Sequence, residues 1–129
     1  MNNVDRRAVI ATHGGVGGPK EHSDACERAC AAGASALKEQ QHSLEAAIRA
    51  TMVLEDDPRL NAGTGSNFRL DGKTIEMDAA VMDEAYRFGA VAAIQRVKNP
   101  VRVAERVLGT PHLLLAGEGA TTFARNQGF

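Results

Sequence analysis

Apolar positions recur along the chain with two different periods, and the changes of period set out an order of elements. Residues 8–12 are β-branched and apolar enough for a buried first strand, which runs into His13-Gly14-Gly15-Val16-Gly17-Gly18-Pro19, where no regular element continues. From Ser23, a candidate N-cap, Cys26, Ala29, Cys30, Gly33, Ala36 and Leu37 recur at helical spacing and form a face of small residues. A second helix is predicted from Ser43, with Leu44, Ala47, Ile48, Thr51 and Met52 on one side, Glu45, Arg49 and Glu55 largely off it, and Pro58 as its stop.

Residues 60–67 contain Asn61-Ala62-Gly63-Thr64-Gly65, a second glycine-dense turn. Phe68 and Leu70 alternate before Asp71-Gly72, and Ile75 and Met77 after it, which predicts a hairpin with Phe68 facing Ile75. Residues 79–82 and 88–94 are apolar on both faces, as for two central strands. Asn99-Pro100 starts a helix with the stripe Val103, Ala104, Val107 and Leu108, and Gly109 stops it. Residues 112–116 give a fifth strand candidate, and Gly117-Glu118-Gly119 leads into a last helix around residues 120–126. The order β, α, α, β, β, β, α, β, α has no repeat and no linker. It predicts one α+β unit over residues 1–129, with helices segregated from a largely antiparallel sheet. Gln127-Gly128-Phe129 follows the last helix with nothing to cover the last strand, which predicts a fragment or one chain of a processed protein.

Composition changes the picture in one respect. Leu, Ile, Val and Phe are few, and the core is filled by 22 Ala and 13 Gly, which let backbones approach closely. Charge is balanced, 15 Lys and Arg against 16 Asp and Glu, so no basic face for nucleic acid or anionic lipid is expected. The single Tyr, four Phe and absent Trp leave little to stack on bases or sugars. The longest apolar run, residues 88–94, is far too short for a membrane span, and residues 8–12 are too short for a signal-peptide core, so a cytoplasmic, reducing location is expected. Cys26 and Cys30, four apart with no further Cys to complete a zinc set, read as small core residues.

Familiar catalytic spacings fail one by one. The loop at Gly14 to Lys20 follows a strand and precedes a helix, but Lys20 stands between Pro19 and Glu21, so it is no P-loop, and no dinucleotide pattern fits its glycines. It is either a structural turn or a loop whose free N–H groups serve a site. His13, His22, His42 and His112 lack metalloprotease spacing, Asp56-Asp57 and Asp83-Glu84 read as solvated charge, and no Ser sits in a nucleophile elbow.

The strings themselves, in order, carry more. His13-Gly14-Gly15-Val16-Gly17, then Leu54-Glu55-Asp56-Asp57-Pro58-Arg59-Leu60-Asn61-Ala62-Gly63-Thr64-Gly65, then Glu76-Met77-Asp78-Ala79-Ala80-Val81-Met82-Asp83, Gly89-Ala90-Val91-Ala92-Ala93-Ile94, Asn99-Pro100, Pro111-His112 and Gly117-Glu118-Gly119-Ala120 resemble the α subunit of the plant-type asparaginase/isoaspartyl peptidase family. The resemblance covers nearly the whole chain. It departs at Met82-Asp83-Glu84, where the family often has Met-Asp-Gly, and over residues 19–25, which match nothing in the pattern.

The resemblance implies an N-terminal-nucleophile hydrolase: an αββα sandwich of which this chain is the N-terminal half, made as a precursor that cuts itself before a threonine. That Thr, in a Gly-Thr-Val-Gly segment of the β subunit, is the nucleophile and its free α-amine the base. No such segment occurs here. Implied partners are that β subunit, an (αβ)₂ assembly and a small-molecule or dipeptide substrate, L-asparagine or a β-aspartyl dipeptide. Glycosylasparaginase and threonine endopeptidase relatives, or a non-catalytic domain binding a small anion, are the alternatives. By resemblance Asn61 lies beside the nucleophile, although an asparagine there also suits its own turn. Gly14 and Gly15 match a loop near the cleavage point, with His13 structural. Catalysis needs no cofactor; a structural sodium is implied on the main-chain carbonyls of Leu54, Glu55, Asp57, Leu60, Ala62 and Thr64.

Overall fold

The computed structural model describes residues 8–39 and 42–129. Its elements are α1 (Ser23–Lys38), α2 (Ser43–Glu55), β1 (Met77–Met82), β2 (Phe88–Ile94), α3 (Pro100–Leu108), β3 (Leu114–Ala116) and α4 (Gly117–Asn126), with 3₁₀ turns at Lys20–His22 and Gly63–Gly65. The architecture is mixed α/β. Strand order is β1-β2-β3, with β1 and β2 antiparallel and β2 and β3 parallel, so the sheet is not largely antiparallel.

Small residues set the packing distances, as the composition implies. α1 buries Ala25, Ala29, Gly33 and Ala36. A Cβ on Gly33 would stand 3.0 Å from the Ala46 carbonyl oxygen, so α1 and α2 meet at near-backbone contact. α3 lies as closely on β2, because a Cβ on Gly89 would stand 2.5 Å from the Ala104 oxygen and 2.6 Å from the Leu108 nitrogen. Around that contact Val91, Ile94, Val101, Val103, Ala104 and Val107 form the main core, joined by Ile48 of α2 and by Ala120 and Ala124 of α4. Arg102 ties α3 to α2 through a two-pronged pair, its terminal nitrogens 2.7 and 2.8 Å from the Glu45 carboxylate oxygens. With Arg102 foremost and Arg49 helping, Glu45 is held down to about 2.

Several sequence expectations are corrected. Residues 8–12 join no ladder among the described residues. They run along α1, where Ile10 reaches the flank of Gly33 and the Thr12 hydroxyl donates to the Cys26 carbonyl at 3.0 Å. Their apolar pattern suits pairing, but the three strands that do pair lie elsewhere. The hairpin reduces to a turn: the Gly72 N–H donates to the Arg69 carbonyl and the Arg69 N–H to that of Thr74, so Arg69, not Phe68, closes it and no ladder grows. β1 begins at Met77, has β2 as its only partner among the described residues and alternates in burial, so it is not a central strand. The last strand is only Leu114–Ala116, and α4 begins at Gly117. α2 ends at Glu55, before Pro58. Ser23 and Ser43 are first helical residues, preceded by His22 and His42, and none of these side chains caps. Cys26 and Cys30 are free and half-buried, Cys30 Sγ lying 3.2 Å from the Thr12 hydroxyl.

Candidate functional site

Four segments wall a cavity of about 630 Å³: the glycine loop from His13, the end of α2 at Thr51, Leu54 and Glu55, the turn at Arg59, Leu60 and Asn61, and the start of β1 at Asp78 and Ala79. Gly14, Gly15 and Asn61 therefore share one wall-to-wall space although 46 residues separate Gly15 from Asn61 along the chain. Gly15 takes φ +100°, a conformation glycine adopts without steric cost, and its N–H donates to His13 Nδ1 at 3.1 Å. His13 thus braces the loop. At Gly14 the constraint is room: a Cβ there would meet Cys26 Sγ of α1 at 3.1 Å.

Asn61 uses its carboxamide oxygen to accept the Asn67 N–H at 2.9 Å. This is the turn-stabilising bond that its residue type suggested. It also fixes the side chain while committing only the oxygen, and the NH₂ makes no hydrogen bond among the described residues.

Asp78 reaches the same cavity through a break in the ladder. Met77 pairs with Ile94 but Ala79 with Val91, so Ala92 and Ala93 of β2 bulge opposite Asp78 of β1, whose Oδ1 accepts the Ala93 N–H at 2.8 Å. Ala93, inside that bulge, sits at φ +49°, where a side chain is disfavoured. Asp78 leaves no periodic signal in the sequence, because what it binds is a bulge in the other strand; the Met77-Asp78-Ala79 string is its only mark.

The loop that carries Asn61 is held by carboxylates read as solvated or off-face, and here the correction is largest. Asp57 is only 5% exposed. It accepts Arg59 Nε at 2.9 Å, Arg59 Nη2 at 2.6 Å and Arg28 Nη2 at 2.6 Å. The Arg59 guanidinium, with Arg28 behind it, holds its carboxyl well below the usual carboxylate range. Asp83 is likewise 9% exposed and accepts the N–H groups of Ala85 and Arg87. Glu55, 3% exposed, caps α3 from the end of α2: one oxygen accepts the Val101 N–H at 3.0 Å, the other the Asn99 amide at 3.1 Å. Asn99 itself makes no side-chain cap.

Burial pushes the Glu55 carboxyl up to about 7, against the pull of the Val101 N–H and the Asn99 amide. Its ordinary value is 4.5. Between these values the folded protein holds a proton that the unfolded chain has released, so this group's contribution to stability falls as pH rises through that window. Glu55→Gln cannot titrate. The urea midpoint of the wild type, minus that of the variant, is expected to shrink from pH 5 to pH 8; a constant difference would contradict the assignment.

The six carbonyls from Leu54 to Thr64 lie in the loop these carboxylates brace. The oxygens of Asp57, Leu60 and Ala62 each accept one backbone N–H, leaving each a second lone pair, while that of Leu54 accepts the N–H groups of Asp56 and Asp57. The Glu55 oxygen lies against Gly63, and those of Leu60 and Pro58 against Gly65, so closely that a Cβ on either glycine would collide with them. Inward-turned carbonyls at the negative end of α2 suit a hard cation. Among the described residues no group of three or more His, Cys, Asp or Glu side chains is placed to hold a metal, so main-chain oxygen is the donor set this loop offers.

Comparisons with known proteins agree with the resemblance. A family model described as "Asparaginase" matches residues 7–129. A plant-type L-asparaginase of Pyrococcus abyssi is 45% identical over 129 residues, covering 94% of this chain and 42% of the relative. Isoaspartyl peptidase/L-asparaginases of Danio rerio and Homo sapiens are 39% and 38% identical, each over 93% of this chain and 41% of their own length. The chain thus spans about two fifths of these curated relatives. With a family match that runs through the glycine loop, the Asn61 turn and the bulged strand, the chain belongs to the asparaginase family.

Proposed function

We propose that this chain is the α portion of an amidohydrolase that releases aspartate from L-asparagine and from β-aspartyl dipeptides, the nucleophile being the N-terminal Thr of a β chain cut from the same precursor. The observation that carries this reading is the convergence of Asn61, Gly14 and Gly15 on one cavity in a member of the asparaginase family. Thr51, the threonine in that cavity, commits its hydroxyl to the Ala47 carbonyl at 2.9 Å and has no free amine, which supports a nucleophile supplied by the β chain.

In this mechanism the Thr hydroxyl attacks the side-chain amide carbon as its proton passes to the α-amine. The C–N bond then breaks, the leaving nitrogen takes that proton, and ammonia or an amino acid departs. Water hydrolyses the remaining ester to aspartate and restores the Thr. Asn61, fixed by Asn67, offers its NH₂ to the nucleophile or to the segment to be cut. Gly14 and Gly15 leave that stretch of the wall bare of side chains, where the segment would lie.

The assembled enzyme is an αββα sandwich completed by the β chain and doubled to (αβ)₂. Exposed Leu114 on β3 and exposed Val9 in the unpaired residues 8–12 suit a further strand-bearing partner. Sodium held by the main-chain carbonyls of Leu54, Glu55, Asp57, Leu60, Ala62 and Thr64 would neutralise their convergence and stiffen the Asn61 turn. The location proposed is the cytoplasm; no helix among the described residues is long and apolar enough to cross a membrane.

The test is to express the full precursor and analyse it by intact mass and product release. Two chains are expected, the second beginning with Thr, with aspartate released from asparagine and from a β-aspartyl dipeptide in preference to a glycosylated asparagine. At equal ionic strength, Tm and rate should be higher in sodium than in a bulky organic cation. An uncut, inert precursor would overturn the hydrolase; equal Tm and rate in the two salts would remove the cation.

A further inference from the structure

We propose that Arg59 is a positioning residue that sets the Asn61 turn against the glycine loop; this rests on the reading of Asn61 above. Two residues before Asn61, Arg59 lines the same cavity. Its guanidinium holds two carboxylates at once. Nη1 and Nη2 meet the two oxygens of Asp24 at 3.0 and 2.8 Å, while Nε and Nη2 meet the two oxygens of Asp57 at 2.9 and 2.6 Å.

The two carboxylates lie outside the cavity lining, one on the element behind each of two of its walls. Asp57 lies in the loop that carries Asn61, nearly buried, with Arg28 as its second cation. Asp24 is the second residue of α1, the helix into which the glycine loop feeds through the 3₁₀ turn at Lys20–His22. Arg59 is thus a cross-tie between the wall that offers Gly14 and Gly15 and the wall that offers Asn61. The geometry needs a planar fork with several fixed donors. A lysine carries the charge but only a single ammonium, and cannot span both pairs. The Asp24 arm is half-exposed and contributes little to stability, so it acts on placement; the Asp57 arm is nearly buried and also steadies the loop itself. A small misplacement is costly in rate when the reacting groups must be aligned.

The experiment uses the full precursor with Arg59→Ala, Arg59→Lys, Asn61→Ala, the double variant Arg59→Ala/Asn61→Ala, and Asp24→Asn. Asp24→Asn weakens the exposed α1 arm, together with the long 3.4 Å contact from Arg28, and keeps the measurement interpretable if Arg59→Ala does not fold. Arg59→Ala is expected to lower kcat about tenfold with KM within about twofold, Arg59→Lys to recover little of that, and Asp24→Asn to lower kcat in the same sense. In the Asn61→Ala background, Arg59→Ala should cost less than about twofold more, because the group it places is already gone. Losses that multiply in the double variant, or wild-type kcat in Asp24→Asn together with wild-type kcat in folded Arg59→Ala or Arg59→Lys, would overturn the cross-tie while leaving Asn61 its role. Wild-type kcat in Asn61→Ala itself would instead overturn the reading of Asn61, and the inference with it.

Discussion

Gly65→Ala is expected to destabilise the protein by more than about 3 kcal/mol, at or beyond the upper end for adding one methyl to a packed interior. Two effects are separable at the glycines of this chain. Gly72 has φ +67° with nothing within 4 Å of an added Cβ, so Gly72→Ala meets strain alone, about 1 kcal/mol. Gly65 has no positive φ, so alanine suits its backbone, yet its Cβ would collide with the Leu60 carbonyl oxygen and stand 2.7 Å from that of Pro58. These are main-chain atoms in a loop braced by Asp57 and Arg59, so neither swings aside like a side-chain tip. Because the displaced oxygen of Leu60 immediately precedes Asn61, the proposed self-cleavage should slow with the loss of stability. The check is the urea midpoint of the assembled protein for both variants; equal midpoints would mean that the loop yields and the convergence of carbonyls is loose.

Local pattern made the helices legible: the small-residue face of α1 and the Val103 to Leu108 stripe of α3 lie where periodicity puts them, whereas α2 has the expected span but buries Ala46, Ile48, Ala50 and Glu55, leaving Ala47 of the expected face exposed. It failed wherever the deciding partner was remote. Glu55 looks like a surface residue within its own helix and is buried because the orphan N–H of Val101, 46 residues on, needs an acceptor. Asp57 looks solvated beside Asp56 and is buried because Arg28, 29 residues back, reaches it. Residues 8–12 are β-branched and apolar as a buried strand is, but that composition says that a segment suits pairing, not that a partner stands beside it. Spacing alone offered no catalytic set, and the strings around Gly14, Gly15 and Asn61 singled these residues out only as a family resemblance. What the sequence could not supply was the shared cavity, since its walls come from segments far apart along the chain, those of His13 and Ala79 among them.

Asn61 admits two roles that one substitution confounds and two separate. Asn61→Ala removes the acceptor of the Asn67 N–H and the unpartnered NH₂ together. It should cost stability of about 0.5–1.5 kcal/mol from the lost bond. It should also slow self-cleavage or turnover at least about tenfold, or about 1.4 kcal/mol of barrier. Asn61→Asp keeps an oxygen for the Asn67 N–H and strengthens that bond by charge, while supplying no donor at the ionised carboxylate. If the turn were all that mattered, the aspartate variant would match the wild type in stability and rate. The expected result is that it matches in urea midpoint and fails in rate as alanine does. A carboxylate facing a nucleophile that needs a donor cannot orient its hydroxyl oxygen, and adds negative charge where an oxyanion develops. Rates per folded, cleaved molecule, followed by aspartate release, decide it: wild-type turnover in Asn61→Asp would assign this residue to its turn alone.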